Sequence, residues 1–288
     1  MKLKLSMLIM FALLLSGCSV QKEFFEDLTQ TSQPKAKAEE IAKTPPKNLK
    51  EEWEEKTKID GWTLVWHDEF SEEASMTNWN EQDWPSDKNE ELQYYSPSNV
   101  EVKDGHLVIE SKKEKFRGRE YTSGAVTTEN KFQFRYGMVE IRAKLPQGKG
   151  LFPAFWMVPS EENWLPEINI MDFLGQNTNE YHQVVHWENE DGERMRDYSQ
   201  YISEQIDFTK EFHNFGIIWE PGKLTWTLDG NVVFETEKLS PDMPMYLYLN
   251  TAVGGDWPGD PDPNEKYPKE MLIDYVRVYQ QQVFQQQE

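Results

Sequence analysis

The chain has 288 residues, a length that suits one large β domain or two smaller ones. A formal net charge of −21 and a pI of about 4.7 exclude the basic footprint that a nucleic-acid binder needs. So acidic a surface also disfavours strongly anionic polymers, unless a local basic patch overrides it.

The N-terminus comes first in chain order. MKLKLS supplies Lys2 and Lys4, MLIMFALLL is a short apolar run, and LSGC follows. This pattern predicts a secretory signal over 1–17, because the run is too short for an ordinary membrane span. LSGC resembles a bacterial lipoprotein box, which implies cleavage before Cys18, lipidation of its thiol and an exported protein anchored to the membrane. The alternative is a soluble secreted protein whose Cys18 leaves with the signal. Cys18 is the sole cysteine, so no intrachain disulfide can form. Residues 18–58 are polar, with nearly balanced charges and the pair Pro45-Pro46, and read either as a tether or as a leader without a role. Within them KNLKEEWEEKTK could form a short helix that docks Trp53.

From Trp62 the texture changes. Short alternating or apolar runs recur: WTLVW, HLVIES, YGMVEIRAKL, FPAFWMV, EINIMDFL, QVVHW, FGIIWE, KLTWTLDG, NVVFET, MYLYLNTAV and MLIDYVRVY. Turn signals such as Lys103-Asp104-Gly105, Pro146-Gln147-Gly148 and Pro221-Gly222 separate them, and GKLTWTLDGNVVFE reads as a hairpin around Asp229-Gly230. Long amphipathic helix patterns and fixed-period repeats are absent. The expectation is an all-β sandwich in one domain over 59–281, with a polar tail at 282–288.

PEINIMDFLG holds the chemistry. Ile168 and Ile170 alternate with Glu167 and Asn169, so one strand face enters the core and the other presents a carboxylate and an amide. Strict alternation would turn Asp172 inward, where an ionised carboxylate is costly. A β-bulge would shift the phase and return Asp172 to the polar face. Two carboxylates on one face fit retaining glycoside hydrolysis, with one as nucleophile and one as acid/base. Alone, two acids on a strand are more often a solvated face; their aromatic company argues for a sugar cleft. Trp156 and Trp164 precede the acids, and His186-Trp187 and Trp257 follow, as rings on which pyranose faces can stack. Trp66, Trp219 and Trp226 sit inside alternating runs and read as core. His67, His182 and His213 read as structural. No Gly-rich phosphate loop, zinc-type Cys/His spacing or nucleophile elbow is present.

Across residues 62–280 the chain resembles glycoside hydrolase family 16, the laminarinase and lichenase group of β-glucanases. The matching pieces are LVWHDEF, NEELQYY, NVEVKDGHLVIES, YTSGAV, KFQFRYGMVEIRAKLPQGKGLFPAFWMVP, PEINIMDFLG, VVHW, FHNFGIIWEPGKLTWTLDG, LNTAVGGDWPG and IDYVRVYQ. The resemblance implies a jelly-roll β-sandwich of concanavalin A type with a concave glycan cleft. It further implies retaining hydrolysis of β-linked polysaccharide, often β-1,3-glucan. The family's bulged motif reads Glu-Ile-Asp-Ile-Met-Glu. Glu167 matches its nucleophile, Asn169 stands at its helper Asp and Asp172 at its acid/base Glu. Tyr94, Trp156, Trp164 and His186 fall near its cleft positions. Glu69, the Gly105 carbonyl and Asp274 match candidate ligands of a structural calcium on the opposite face, or are ordinary surface acids. No cofactor is required, and a monomer is expected.

Two readings follow. One is an endo-acting glycosidase on β-1,3- or mixed β-1,3/1,4-glucan, slowed by a shortened acid. The other is a non-catalytic glycan-binding lipoprotein that keeps the cleft. In either, Asn169 can donate to Glu167 and lower its pKa.

Overall fold

The computed structural model describes residues 59, 61–71, 73–161, 164–281 and 283. The expected signal, Cys18, the polar stretch to residue 58 and the helix around Trp53 lie outside them. Strands dominate. In chain order they are β1 (Thr63–Asp68), β2 (Asn80–Glu81), β3 (Trp84–Pro85), β4 (Gln93–Tyr95), β5 (Val100–Lys103), β6 (His106–Ser111), β7 (Tyr121–Ser123), β8 (Ala125–Thr127) and β9 (Gly137–Lys144). Then come β10 (Leu151–Pro159), β11 (Glu167–Asp172), β12 (Glu180–Glu188), β13 (Arg194–Ile202), β14 (His213–Glu220), β15 (Lys223–Leu228), β16 (Asn231–Thr236), β17 (Met245–Val253) and β18 (Lys269–Gln280).

Most of them form two sheets. One runs β13-β12-β11-β10-β17-β8-β2 and carries the motif near its middle. The other runs β16-β15-β14-β9-β18-β6-β5, with β1 also paired to β18. The twelve-residue β18 is long enough to serve both, meeting β6 through its first half and β1 through its second. Almost every pair is antiparallel, as the short alternating runs require; among the described residues only β4 and β7 run parallel.

Apolar side chains of both sheets close the space between them. Phe155, Ile168, Met171, Val185 and Leu247 meet Val139, Ile141, Phe215, Trp219 and Trp226, all fully buried. Each such side chain contributes about 1.5–3 kcal/mol on leaving water. Trp219 and Trp226 are core, as their alternating strands predict. The β15–β16 hairpin is also as predicted, with Leu228 facing Asn231 across Asp229 (φ 49°) and Gly230 (φ 77°). Two residues at positive φ give the turn whose twist matches the flanking strands.

Gly175 fixes the chain as it leaves β11. Its amide donates to the Leu151 carbonyl (2.9 Å), and its own carbonyl accepts from the Gly148 amide (3.0 Å). A Cβ there would lie 2.4 Å from the Gly148 oxygen, so only glycine permits the approach.

Candidate active site

The register of β11 holds a bulge. Asn169 pairs with Trp156 on β10 and Val184 on β12, while Asp172 pairs with Ala154 and His182. On β12 one residue, Gln183, separates these partners; on β11 two do, Ile170 and Met171. Both are buried in the core. The extra residue resets the alternation, so Glu167, Asn169 and Asp172 all line one cleft. A buried hydrogen bond from the other sheet holds the bulge: Trp226 Nε1 donates to the Asn169 carbonyl at 2.9 Å.

Directly paired residues face the same way, so three rows of side chains cross the cleft floor. Glu167, His186 and Arg196 make the first. Tyr248, Trp156, Asn169, Val184 and Tyr198 make the second, and Asn250, Ala154, Asp172, His182 and Gln200 the third. The space over the acids on the β13 side is about 640 Å³. A neighbouring space of about 270 Å³ on the other side is lined by Trp84, Tyr95, Trp156, Trp164 and Tyr248.

Asn169 Nδ2 donates to both oxygens of Asp172, each at 3.0 Å. Asp172 is 4% exposed. Burial pushes its carboxyl up to about 7 against the pull of the Asn169 amide, and the charge of Glu167 adds to the rise. Glu167 is also raised to about 7 by burial, opposed by Asn169 and by the positive charges of Lys88 and Arg194. The amide does act in the expected direction on Glu167. Burial outweighs it, so the net shift is upward rather than downward. Burial lowers His186 and His182, and for His186 the guanidiniums of Arg196 and Arg194 lower it further, so both rings are held below the ordinary imidazole value.

The aromatic residues divide. Trp156 stacks on Tyr248 (4.4 Å between centroids) and on Trp164 (5.5 Å), and its Nε1 donates to Asn250 Oδ1 at 2.8 Å. Trp164 is 43% exposed, with the Lys88 ammonium 4.0 Å from its ring. Trp257, 45% exposed, stands edge-on to Phe152 and His182 at the opposite end. His186 is on the floor beside Glu167. Tyr94 is not in the cleft: its ring packs on Phe116 and its hydroxyl accepts from Arg117 at 2.5 Å. Its neighbour Tyr95 takes that place, its hydroxyl accepting from Asn250. His182, read as structural, lies in the cleft, while His213 is structural as expected, paired to Asp229 at 2.8 Å.

The calcium ligands implied by resemblance do not fit a cation as arranged. Both oxygens of Glu69 accept from Arg277, at 2.9 and 3.0 Å, and Asp274 is paired to Arg142 with His106 nearby. Gly105 is in the β5–β6 turn. An arginine already neutralises each carboxylate, and calcium asks for six to eight oxygens. Among the described residues no group of three or more His, Cys, Asp or Glu side chains gathers to hold a metal.

Comparison with known proteins agrees with this architecture. The model of Glycosyl hydrolases family 16 matches residues 87–277, and that of Beta-glucan synthesis-associated protein SKN1/KRE6/Sbg1 matches residues 8–160. The Beta-glucanase of Rhodothermus marinus is 34% identical over 255 residues, covering 76% of this chain and 85% of its own. The Glucan endo-1,3-beta-glucosidase of Cryptopygus antarcticus is 33% identical over 257 residues, covering 76% and 92%. The solved endo-beta-1,3-glucanase from Pyrococcus furiosus shares the fold with a TM-score of 0.70 at 39% identity, covering 77% of this chain and 96% of that one. Likeness of this extent makes the chain a member of glycoside hydrolase family 16, and its paired sheets the jelly roll of that family's laminarinases.

Proposed function

We propose that the chain cleaves internal bonds of a β-1,3- or mixed β-1,3/1,4-glucan with retention of configuration. The observation that carries this is the bulge, which brings Glu167 and Asp172 to one cleft face beside stacking rings. In the first step the Glu167 carboxylate attacks the anomeric carbon while the Asp172 carboxyl gives its proton to the departing glycosidic oxygen. In the second, Asp172 takes a proton from water, which displaces the sugar from Glu167. Asn169 orients Asp172 through its two hydrogen bonds and stabilises the carboxylate that Asp172 becomes when it gives up its proton in the first step.

One observation favours the second reading, a glycan-binding protein without turnover. Asp172 is one methylene shorter than glutamate, and both of its oxygens already accept from Asn169. A misplacement of about 1 Å can cost on the order of 10²-fold in rate. The deciding measurement is reducing-sugar release from laminarin, mixed-linkage glucan and agar, alongside binding to the same polymers. Release above a Glu167→Ala control supports hydrolysis; binding without it establishes the second reading. The double change Asn169→Asp with Asp172→Glu is expected to raise the rate on the order of 10²-fold. A folded double variant with unchanged rate contradicts this assignment of roles.

We further propose an exported monomer anchored through lipidated Cys18, supported by the LSGC stretch after the apolar run. Membrane fractionation of Cys18→Ala should move the protein to the soluble fraction.

A further inference from the structure

The chain has seven arginines, and five of them are ion-paired: Arg117 to Asp83, Arg119 to Asp87, Arg135 to Asp242, Arg142 to Asp274 and Arg277 to Glu69. Arg194 and Arg196 differ. Neither has a carboxylate within ion-pair distance among the described residues, although the molecule is strongly acidic. They are two apart on β13, so their side chains share a face, and both line the cleft that holds Glu167 and Asp172. Arg196 ends the row Glu167–His186–Arg196, three strands wide.

No ion pair takes up this positive charge, although Arg194 acts electrostatically on Glu167. Burial and the two guanidiniums themselves disfavour the charged form of His186, so the charge at this end comes from Arg194 and Arg196. Glu188 faces Arg194 across the strand pair without an ion pair. Glu91, across the cleft, already accepts from Ser86, Asn89 and Gln93. Asp256 and the two floor acids are the remaining carboxylates of the space, and none of them is ion-paired to Arg194 or Arg196. Tyr198 is 57% exposed beside them, with the Arg196 guanidinium 4.9 Å from its ring. The far end has the opposite character. Trp84, Trp164, Tyr246 and Tyr248 line it together with Glu129 and Glu161, which suits an uncharged pyranose.

We propose that Arg194 and Arg196 form a subsite for an acidic substituent, a sulfate ester or a carboxylate, on the sugar bound at the β13 end of the cleft. The proposal rests on the reading of this cleft as the glycan site and narrows its substrate to an acidic β-glycan. A guanidinium presents its donors as a planar fork that matches either oxyanion, and two forks on one strand face can hold one group from two sides. Tyr198 offers a ring for the same sugar to stack on. The net charge of the molecule repels polyanions at long range, so any preference for them must arise locally.

The test is binding and cleavage of three matched polymers by the full chain: laminarin, partially sulfated laminarin and laminarin oxidised at C6 to glucuronate. At about 20 mM salt at least one charged polymer is expected to bind about tenfold more tightly than laminarin, an advantage that shrinks at about 300 mM salt. Which charged polymer wins separates sulfate from carboxylate. In Arg194→Gln/Arg196→Gln the ratio should fall to within about twofold of unity. Lys210→Gln/Lys266→Gln, which removes the same charge at exposed positions outside the cleft lining, should keep it. Equal or weaker binding of both charged polymers overturns the proposal, as does a preference that survives loss of both arginines. Cleavage of laminarin without any preference removes the subsite and leaves the hydrolase. A preference lost with the arginines, with no reducing ends released from any polymer, keeps the subsite and removes the hydrolase.

Discussion

At the scale of residues, the two carboxyls are held near neutrality by burial, and the charge of Glu167 raises Asp172 further. Such a pair titrates as a unit. The proposed retaining mechanism needs one group ionised and the other protonated, so kcat/KM should trace a bell around pH 7. In Asp172→Asn the alkaline limb should vanish along with most of the rate, and an unchanged alkaline limb would remove Asp172 as the acid. Stability carries the same signature. Both folded values lie above the ordinary carboxyl range of about 4, so the native state binds more protons than the unfolded chain between about pH 4 and pH 7. Stability from these groups is full below that window and is lost as pH rises through it. A Glu167→Gln/Asp172→Asn variant should therefore show a flatter denaturation midpoint over the window. The sequence made Glu167, Asn169 and Asp172 legible because apolar alternation breaks at one point, and only a bulge mends it. Tyr94 was misplaced for the converse reason. In Gln93-Tyr94-Tyr95 all three side chains are buried, so nothing in the stretch reveals which tyrosine faces the cleft.

At the scale of elements, legibility follows burial on one face. The β15–β16 hairpin could be read because its turn residues and alternation agree. β13 could not. RMRDYSQYI is an edge strand whose side chains are mostly exposed, and it has no apolar rhythm to betray it. Both arginines of the proposed subsite were hidden with it. Trp226 was legible as core but not as the donor to the bulge, because the contact joins β15 to β11 across the two sheets. Trp226→Phe should cost about 1–3 kcal/mol in denaturant unfolding, from the lost buried hydrogen bond and the smaller ring. It should also lower kcat more than it changes KM, since the bulge it releases positions Asn169 and Asp172. Loss of stability with unaltered kcat would reduce Trp226 to packing.

At the scale of the whole molecule, the alternating runs announced a sandwich, yet the strand order could not be read from them. Pairings such as β1 with β18 join opposite ends of the domain. One polar link joins the two sheets at their margin. Asp197 on β13 accepts from Thr236 at the end of β16 (2.6 Å) and from Lys238 just beyond it (2.7 Å). Burial alone would raise Asp197, but these two donors outweigh it and hold the carboxyl below its usual range. Its contribution is thus present above the ordinary carboxyl value of about 4 and fades as pH falls through the lower folded value. Asp197→Ala should lower stability at pH 7 by on the order of 1 kcal/mol, with a smaller difference near pH 3. It should also speed amide exchange along β13. Exchange on β13 matching the parent would show that the strand is held by its pairing with β12 alone.

The bulge also bears on how the strand tolerates changes in length. Removing one residue from a sheet strand normally slips its register and turns every later side chain to the wrong face. Here Ile170 and Met171 share one place in the ladder, so a chain lacking Met171 could set Ile170 opposite Phe155 and leave Asn169 and Asp172 on their present partners. β11 should therefore survive a deletion at this one point better than at any other, with the two acids still on one cleft face.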